Sequence, residues 1–293
     1  MKLSEKLLKA AYIFKKNPPL FLKYLLYRLK RLGPKWRKTY QGIHETSIGN
    51  VRFQIDFDQL SSSHYIKQVY FKCYELHLVE LMKKYLKKGE TFIDVGANIG
   101  YLSAVGADLV GKNGLVVSFE PVLNIFHCLK NIVTLNPDYN ISVCNKAVSE
   151  SNTPISMDCT SLIECGGNTA VLGLLDSNNV KTNRHIEVES TRLDQYIFDH
   201  GIGKVSLIKI DVEGYEFSVL KGLENYFLET SFRPVIVCEL APKAFEILGF
   251  TVTDLFSYMS KFGYQPYDIY DCRTKLTSKD VYQTIDVVFR VEE

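Results

Sequence analysis

Thr91-Phe-Ile-Asp-Val-Gly-Ala-Asn-Ile-Gly100 decides the fold. An apolar strand runs into Asp94. A turn follows with Gly96 and Gly100, and a helix begins at Tyr101-Leu102-Ser103. Glycine permits the tight turn and lets the backbone approach a ligand closely. The helix start adds free N–H groups and the positive end of a dipole. A dinucleotide fingerprint uses the same logic, but it reads GxGxxG and meets a pyrophosphate. Here the pattern is D-x-G-x-x-x-G. A carboxylate at Asp94 repels a pyrophosphate. It suits a cationic ligand bearing an ammonium and a sulfonium, the charge pattern of S-adenosylmethionine.

Working outward, the strand Leu115–Phe119 ends at Glu120-Pro121. An acid at the end of the second strand is placed to accept hydrogen bonds from two ribose hydroxyls. Ser206-Leu-Ile-Lys-Ile-Asp-Val-Glu-Gly214 is a third strand, running into Asp211 and Glu213. Two carboxylates there can hold a substrate hydroxyl, act as general base, or bind a divalent cation such as Mg²⁺. Lys209, two residues before Asp211, faces the same side of a regular strand. Pro234-Val-Ile-Val-Cys-Glu239 is a fourth strand with an acid at its end, and Glu239 falls beside Asp211 if the two strands are neighbours. Asp211 and Glu239 are therefore the metal candidates, and His64 and His77 are weaker base candidates. The bland readings are a helix-packing GxxxG, a capping Asp211 and an exposed Glu239.

The remaining pattern is short apolar runs alternating with helices. Strands are expected at Thr91–Val95, Leu115–Phe119, Ile141–Val143, Val205–Ile210, Val235–Glu239 and Thr284–Arg290, with helices over 100–110, 122–135, 214–228 and 251–262. That alternation predicts an α/β fold, a doubly wound, mostly parallel sheet covered on both faces. Residues 50–57 read as a half-buried strand and Tyr70–Lys87 as a helix. Residues 150–190 break the rhythm. They are rich in Ser, Asn, Thr and Gly, and a loop that long is more often functional than idle.

Charge separates the chain into two parts. Residues 1–38 carry 12 cations and one acid, net +11, so with +2 overall the other 255 residues carry −9. The arm, taken as 1–41, reads as one or two short basic helices broken by Pro18-Pro19. It either lies on an anionic membrane surface or packs on the body or a second subunit. The domain proper is 42–293. At 46% hydrophobic and 23% charged residues, wholesale disorder is excluded. The seven cysteines have no CxxC spacing and read as buried free thiols. With no secretory signal in this sequence, a cytoplasmic location, peripheral to the membrane, is expected.

These motifs resemble, in order and spacing, the FkbM family of methyltransferases. The resemblance covers roughly residues 70–240. It rests on Phe92–Gly100, on Phe119-Glu-Pro121 with Leu129, Asn131 and Leu135-Asn136, and on Thr191-Arg-Leu-Asp194. Ile208-Lys-Ile-Asp-Val-Glu-Gly-Tyr-Glu216, Val219-Leu-Lys-Gly222 and Val237-Cys-Glu-Leu240 complete it, with a weaker match at Asn145-Lys-Ala-Val-Ser149.

The resemblance implies a Rossmann-like seven-stranded sheet, S-adenosylmethionine as donor and an O-linked acceptor on a sugar, glycan or related small molecule. It carries over Asp94, Gly96, Ala97, Asn98 and Gly100 as the cofactor loop. Glu120 and Pro121 would flank the ribose, Lys146 and Ala147 the adenine, and Glu75 would precede the first helix. Asp211, Glu213, Glu239 and Lys209 would be the catalytic set.

The alternatives are a nucleic-acid or protein methyltransferase, and a binding module that keeps the fold without the chemistry. The NPPY or DPPY strand end of amino-methylating enzymes is absent, which disfavours nucleic acid. The acceptor, metal dependence and oligomeric state stay open.

Overall fold

The computed structural model describes residues 11–30, 40–58, 69–70, 72, 74–159, 168–177 and 184–292. The arm provides α1 (Pro18–Lys30). A hairpin follows, β1 (Ile43–Ile48) and β2 (Val51–Asp56), with antiparallel register Ile48↔Val51. The helix expected over 70–87 forms as α2 (Leu76–Tyr85) and stops at the extended Leu86. The αβ alternation then runs β3 (Thr91–Val95), α3 (Tyr101–Val110), β4 (Leu115–Phe119), α4 (Leu123–Leu135) and β5 (Asn140–Cys144).

The irregular stretch supplies β6 (Ala147–Val148), β7 (Ile155–Cys159), a single turn α5 (Leu174–Ser177), β8 (Arg184–Val188) and β9 (Ser190–Thr191). β7 and β8 form an antiparallel hairpin. The chain closes with α6 (Leu193–Asp199), β10 (Leu207–Ile210), α7 (Glu216–Lys221), α8 (Glu224–Glu229), β11 (Val235–Leu240), α9 (Pro242–Ile247), α10 (Val252–Ser260), β12 (Tyr264–Asp268) and β13 (Ile285–Val291). The single helix expected over 214–228 is therefore two, because Gly222 and Leu223 turn the chain between them.

The main sheet has the order β12-β13-β11-β10-β3-β4-β5. β13 runs antiparallel to both its neighbours and the other pairs are parallel. This is the expected seven-stranded, doubly wound sheet. β12 was not legible, because Tyr264-Gln-Pro-Tyr-Asp268 is neither alternating nor continuously apolar. One face, with Phe92, Leu207, Val237 and Val288, packs on α2, α3, α4 and the β1–β2 hairpin. The other, with Ile93, Ile208, Ile236 and Phe289, packs on α6 to α10. β3 and β10 are adjacent, and the chain winds outward from them in both directions. Open α/β sheets bind ligands at the carboxyl ends of strands at such a switch point.

Candidate active site

The loop after β3 is stitched to the strand beside it. The N–H groups of Gly96 and Ala97 donate to the Phe119 carbonyl at 3.1 and 2.8 Å. Gly96 has φ 74°, and a Cβ there would lie 1.9 Å from the Asp211 carbonyl oxygen, so glycine is required by both conformation and contact. Asn98 and Gly100 also have positive φ. The Asn98 N–H donates to Glu120 Oε2 at 3.0 Å, and the Val122 N–H donates to Oε1 at 2.9 Å. Glu120 is 6% exposed, and burial pushes its carboxyl up to about 7.

A cavity of about 220 Å³ opens over this loop. Glu120 and Pro121 line its middle. Ala147, Val148, Ile155 and Met157 form an apolar slot at one end, with Lys146 beside them. Lys209, Asp211 and Glu213 come from β10 and the turn after it, on the opposite side of β3, and Tyr74 and Tyr101 complete the lining. Gly96, Ala97 and Asn98 form the floor between the two ends. Ile155, Met157, Asn168 and Ala170 come from the irregular stretch, which therefore walls the site; its length was the only sequence signal of that role.

Asp94 is placed differently from its expected part as a direct ligand. It is wholly buried and lies beneath the cavity, outside its lining. Its Oδ2 accepts from Ser103 Oγ at 2.6 Å, and its Oδ1 is 3.5 Å from Lys209 Nζ. The reason is register: Lys209 on β10 pairs with Asp94 on β3, so both point to one face of the sheet. Lys209 Nζ also donates to the Gly96 carbonyl at 2.7 Å and stands 3.5 Å from Asp211 Oδ2. Burial alone would lower its ammonium, but Asp211 and Asp94 hold it well above the usual lysine range. Asp94 thus fixes the loop through Lys209.

The acids collect on the edge of the sheet. Ile210 pairs with Cys238, so Asp211 and Glu239 follow as neighbours, and Glu239 pairs with Asp286. Crowding has an electrostatic cost. Burial, then Asp211, Glu213 and Asp286, push the Glu239 carboxyl up to about 10. Burial also raises Asp211, against the opposing pull of Lys209. Glu239 does not line the first cavity. It faces a second, about 350 Å³, with Lys243, Tyr282, Gln283 and Thr284. Glu213 lines both cavities and has φ 56°, an uncommon conformation for a side-chain-bearing residue.

Glu216 was quoted in the sequence only as part of a motif, yet it shapes this edge. Its Oε1 accepts from the N–H groups of Val212 and Gly214 at 3.1 and 2.9 Å, closing the turn that carries Asp211 and Glu213.

Glu75 lies outside the cavity lining, where its neighbour Tyr74 takes the place expected for it. Glu75 belongs to a separate cluster. His77 Nε2 is 2.7 Å from Asp286 and 3.2 Å from Glu75, and His77 Nδ1 is 3.0 Å from the Tyr24 hydroxyl. Among the described residues this is the group whose donor atoms converge as a cation site requires, and Asp211 and Glu239 are not part of it. The expectation of a metal at Asp211 and Glu239 thus finds no support, since Lys209 already stands against Asp211. Asp286 gave no sequence signal, because it lies inside an ordinary strand, β13. His64 lies outside the described residues.

Residues 94–266 match the methyltransferase FkbM domain. The hexuronic acid methyltransferase AglP of Haloferax volcanii is 24% identical over 158 residues, covering 54% of this chain and 60% of that protein. The 31-O-demethyl-FK506 methyltransferase FkbM of Streptomyces tacrolimicus is 30% identical over 177 residues, covering 53% and 65%. The chain thus spans less than two thirds of either relative. A solved methyltransferase FkbM from Methylobacillus flagellatus KT covers 80% of this chain and 56% of its own, at 17% identity and TM-score 0.41.

Proposed function

This chain belongs to the FkbM methyltransferase family, and from that premise we propose that it moves a methyl group from S-adenosylmethionine to a hydroxyl of a sugar-containing acceptor. One observation carries the reading. A single cavity runs from an apolar slot, past the buried Glu120, to the carboxylates Asp211 and Glu213.

That order of surfaces fits the donor. Ala147, Ile155 and Met157 would enclose the adenine, and Glu120 would accept from the ribose hydroxyls with the lone pairs that Asn98 and Val122 leave free. The acidic end would face the positively charged part of the molecule. When bound, the donor supplies a methyl group on a sulfonium, which is already a good leaving group. The protein's share is alignment and a base.

Asp211 is the base in this reading. As the acceptor oxygen bonds to the methyl carbon and the carbon–sulfur bond breaks, the hydroxyl proton passes to the Asp211 carboxylate. Its raised proton affinity suits that task. Lys209, fixed by Asp94 and two loop carbonyls, aims Asp211. The acceptor would enter by the second cavity, where Glu239, Lys243, Gln283 and Thr284 offer the polar partners that sugar hydroxyls use. The names of the two relatives, a hexuronic acid methyltransferase and a 31-O-demethyl-FK506 methyltransferase, support an oxygen acceptor.

Calorimetry with S-adenosylmethionine and S-adenosylhomocysteine, with NAD as control, tests the donor. Binding of the sulfur ligands alone is expected. Mass spectrometry of uronic-acid and neutral glycans after incubation with donor then tests the acceptor, and a gain of one methyl is expected. Methylation of protein or RNA with none on glycans would overturn the acceptor class.

A further inference from the structure

We infer that α1 is an interfacial helix that seats the protein on an anionic bilayer surface. The inference goes beyond methyl transfer and stands on separate observations.

The first is the way α1 and the residues just before it, 11–30, are partitioned. One side is committed to the body. Ile13 and Leu20 are 3% and 2% exposed. Tyr12 donates to Asp268 at 2.6 Å, Lys16 pairs with Asp271 at 2.7 Å, and Lys23 pairs with Glu80 at 2.6 Å. The Asn17 side chain donates to the Tyr270 carbonyl, and the Tyr24 hydroxyl meets His77. The arm is therefore anchored at several points.

The other side is apolar and bare. Leu22, Leu25, Leu26 and Leu29 are 55%, 43%, 52% and 56% exposed. Their spacing of three, four and seven residues puts them on one stripe of an α-helix. Phe14, also 56% exposed, extends the apolar surface before the helix. Scattered exposed leucines need no explanation, but a continuous stripe on a docked helix does.

The second observation is charge. Residues 11–30 contain Lys15, Lys16, Lys23, Arg28 and Lys30 and no acid, with Lys16 and Lys23 paired to acids of the body, while residues 42–293 are net acidic. Net positive charge is thus concentrated in the arm that bears the leucine stripe. A second copy of this chain would fit the apolar stripe but would bring like charge to it, whereas an anionic lipid surface answers stripe and charge together. No described helix is long and apolar enough to cross a membrane, so the helix lies in the interface plane.

The test is co-sedimentation of the full chain with vesicles of phosphatidylglycerol and phosphatidylcholine, and with phosphatidylcholine alone. Binding to the anionic vesicles, weakened by salt, is expected. The variant carrying Leu22→Ser, Leu25→Ser, Leu26→Ser and Leu29→Ser should bind them about tenfold more weakly or worse, since the stripe supplies the insertion energy. These side chains are exposed, so circular dichroism and melting temperature should match the parent. Equal binding to both vesicle types, or binding unchanged in the variant, would overturn the inference. So would a dimer in light scattering that the same substitutions dissociate, since the stripe would then be an interface between copies. Should the variant not fold, the salt and lipid dependence of the parent chain decides.

Discussion

Lys209 and Asp94 occupy matching positions on adjacent strands, with Nζ 3.5 Å from Oδ1, and the same ammonium stands 3.5 Å from Asp211. One cation therefore links the wholly buried Asp94, beneath the Gly96 loop, to Asp211, the proposed base. Removing it leaves the wholly buried Asp94 carboxyl without its ionic partner. Breaking a buried pair in this way costs about 3–5 kcal/mol. Lys209→Met should lower stability by that order in urea denaturation. Adding Asp94→Asn should restore part of it, because the stranded charge is gone. A single variant as stable as the parent would show that water reaches Asp94 and that the network is not what holds the loop.

Glu120 makes a prediction with two readouts. A hydrogen bond to a charged group contributes about 1.5–3 kcal/mol, so Glu120→Ala should weaken donor binding about 10–100-fold in calorimetry. Its pH effect has a definite sign. The folded carboxyl is raised from 4.5 to about 7, so the folded state holds its proton more tightly than the unfolded one. The stability this gives is present below pH 4.5 and is lost as pH rises to about 7. Glu120→Gln should flatten that part of the stability curve. A parent and variant with parallel curves across this window would mean that Glu120 is solvated and ionised throughout.

Asp211→Asn separates chemistry from binding. The amide keeps the shape but cannot take the proton. Turnover should fall by about 10²–10⁴, the usual worth of a positioned base, while donor affinity stays near the parent's. In the parent, activity should rise with pH as Asp211 ionises, and that rise should sit above the ordinary aspartate range because burial raises the group. A variant with near-parent turnover would remove Asp211 from the role of base.

The parallel strands of the sheet could be read directly. A strand buried on both faces is a continuous apolar run, and Thr91–Val95, Leu115–Phe119 and Val235–Glu239 each carry an acid at or beside the carboxyl end, Asp94, Glu120 and Glu239. The neighbour relation of Asp211 and Glu239 followed from strand adjacency alone. Asp94 was harder. Its residue type is right for a ligand, but which way it is spent depends on the register between β3 and β10, and register is a tertiary fact. Asp286, Tyr74 and Met157 were not legible for the same reason. They come from segments far apart in the chain with no motif of their own, and only the closed sheet and the inserted hairpin bring them to the edge. The arm was half legible: its charge is in the sequence, but which leucines face out depends on where it docks.

Glu216 gives the sharpest contrast between two substitutions. Burial raises its carboxyl to about 8, so it is mostly protonated at neutral pH, and its Oε1 closes the turn holding Asp211 and Glu213. Its Oε2 is buried without a partner. Glu216→Gln keeps the accepting oxygen and the volume. Glu216→Ala abandons the N–H groups of Val212 and Gly214, and an unmet buried donor costs about 1–3 kcal/mol. The Ala variant should therefore lose stability and turnover together as the turn loosens, while Gln retains most of both. The pH dependence follows the sign worked out for Glu120. Stability should fall as pH rises from about 4.5 towards 8, because the unfolded carboxyl releases its proton first, and the Gln variant should lose that contribution. Thermal melts of all three proteins across this range, with turnover at one pH, check both parts. If Gln and Ala proved equally damaging, the carboxylic acid itself would be needed, and Oε2 would have to be donating to a group in the bound state.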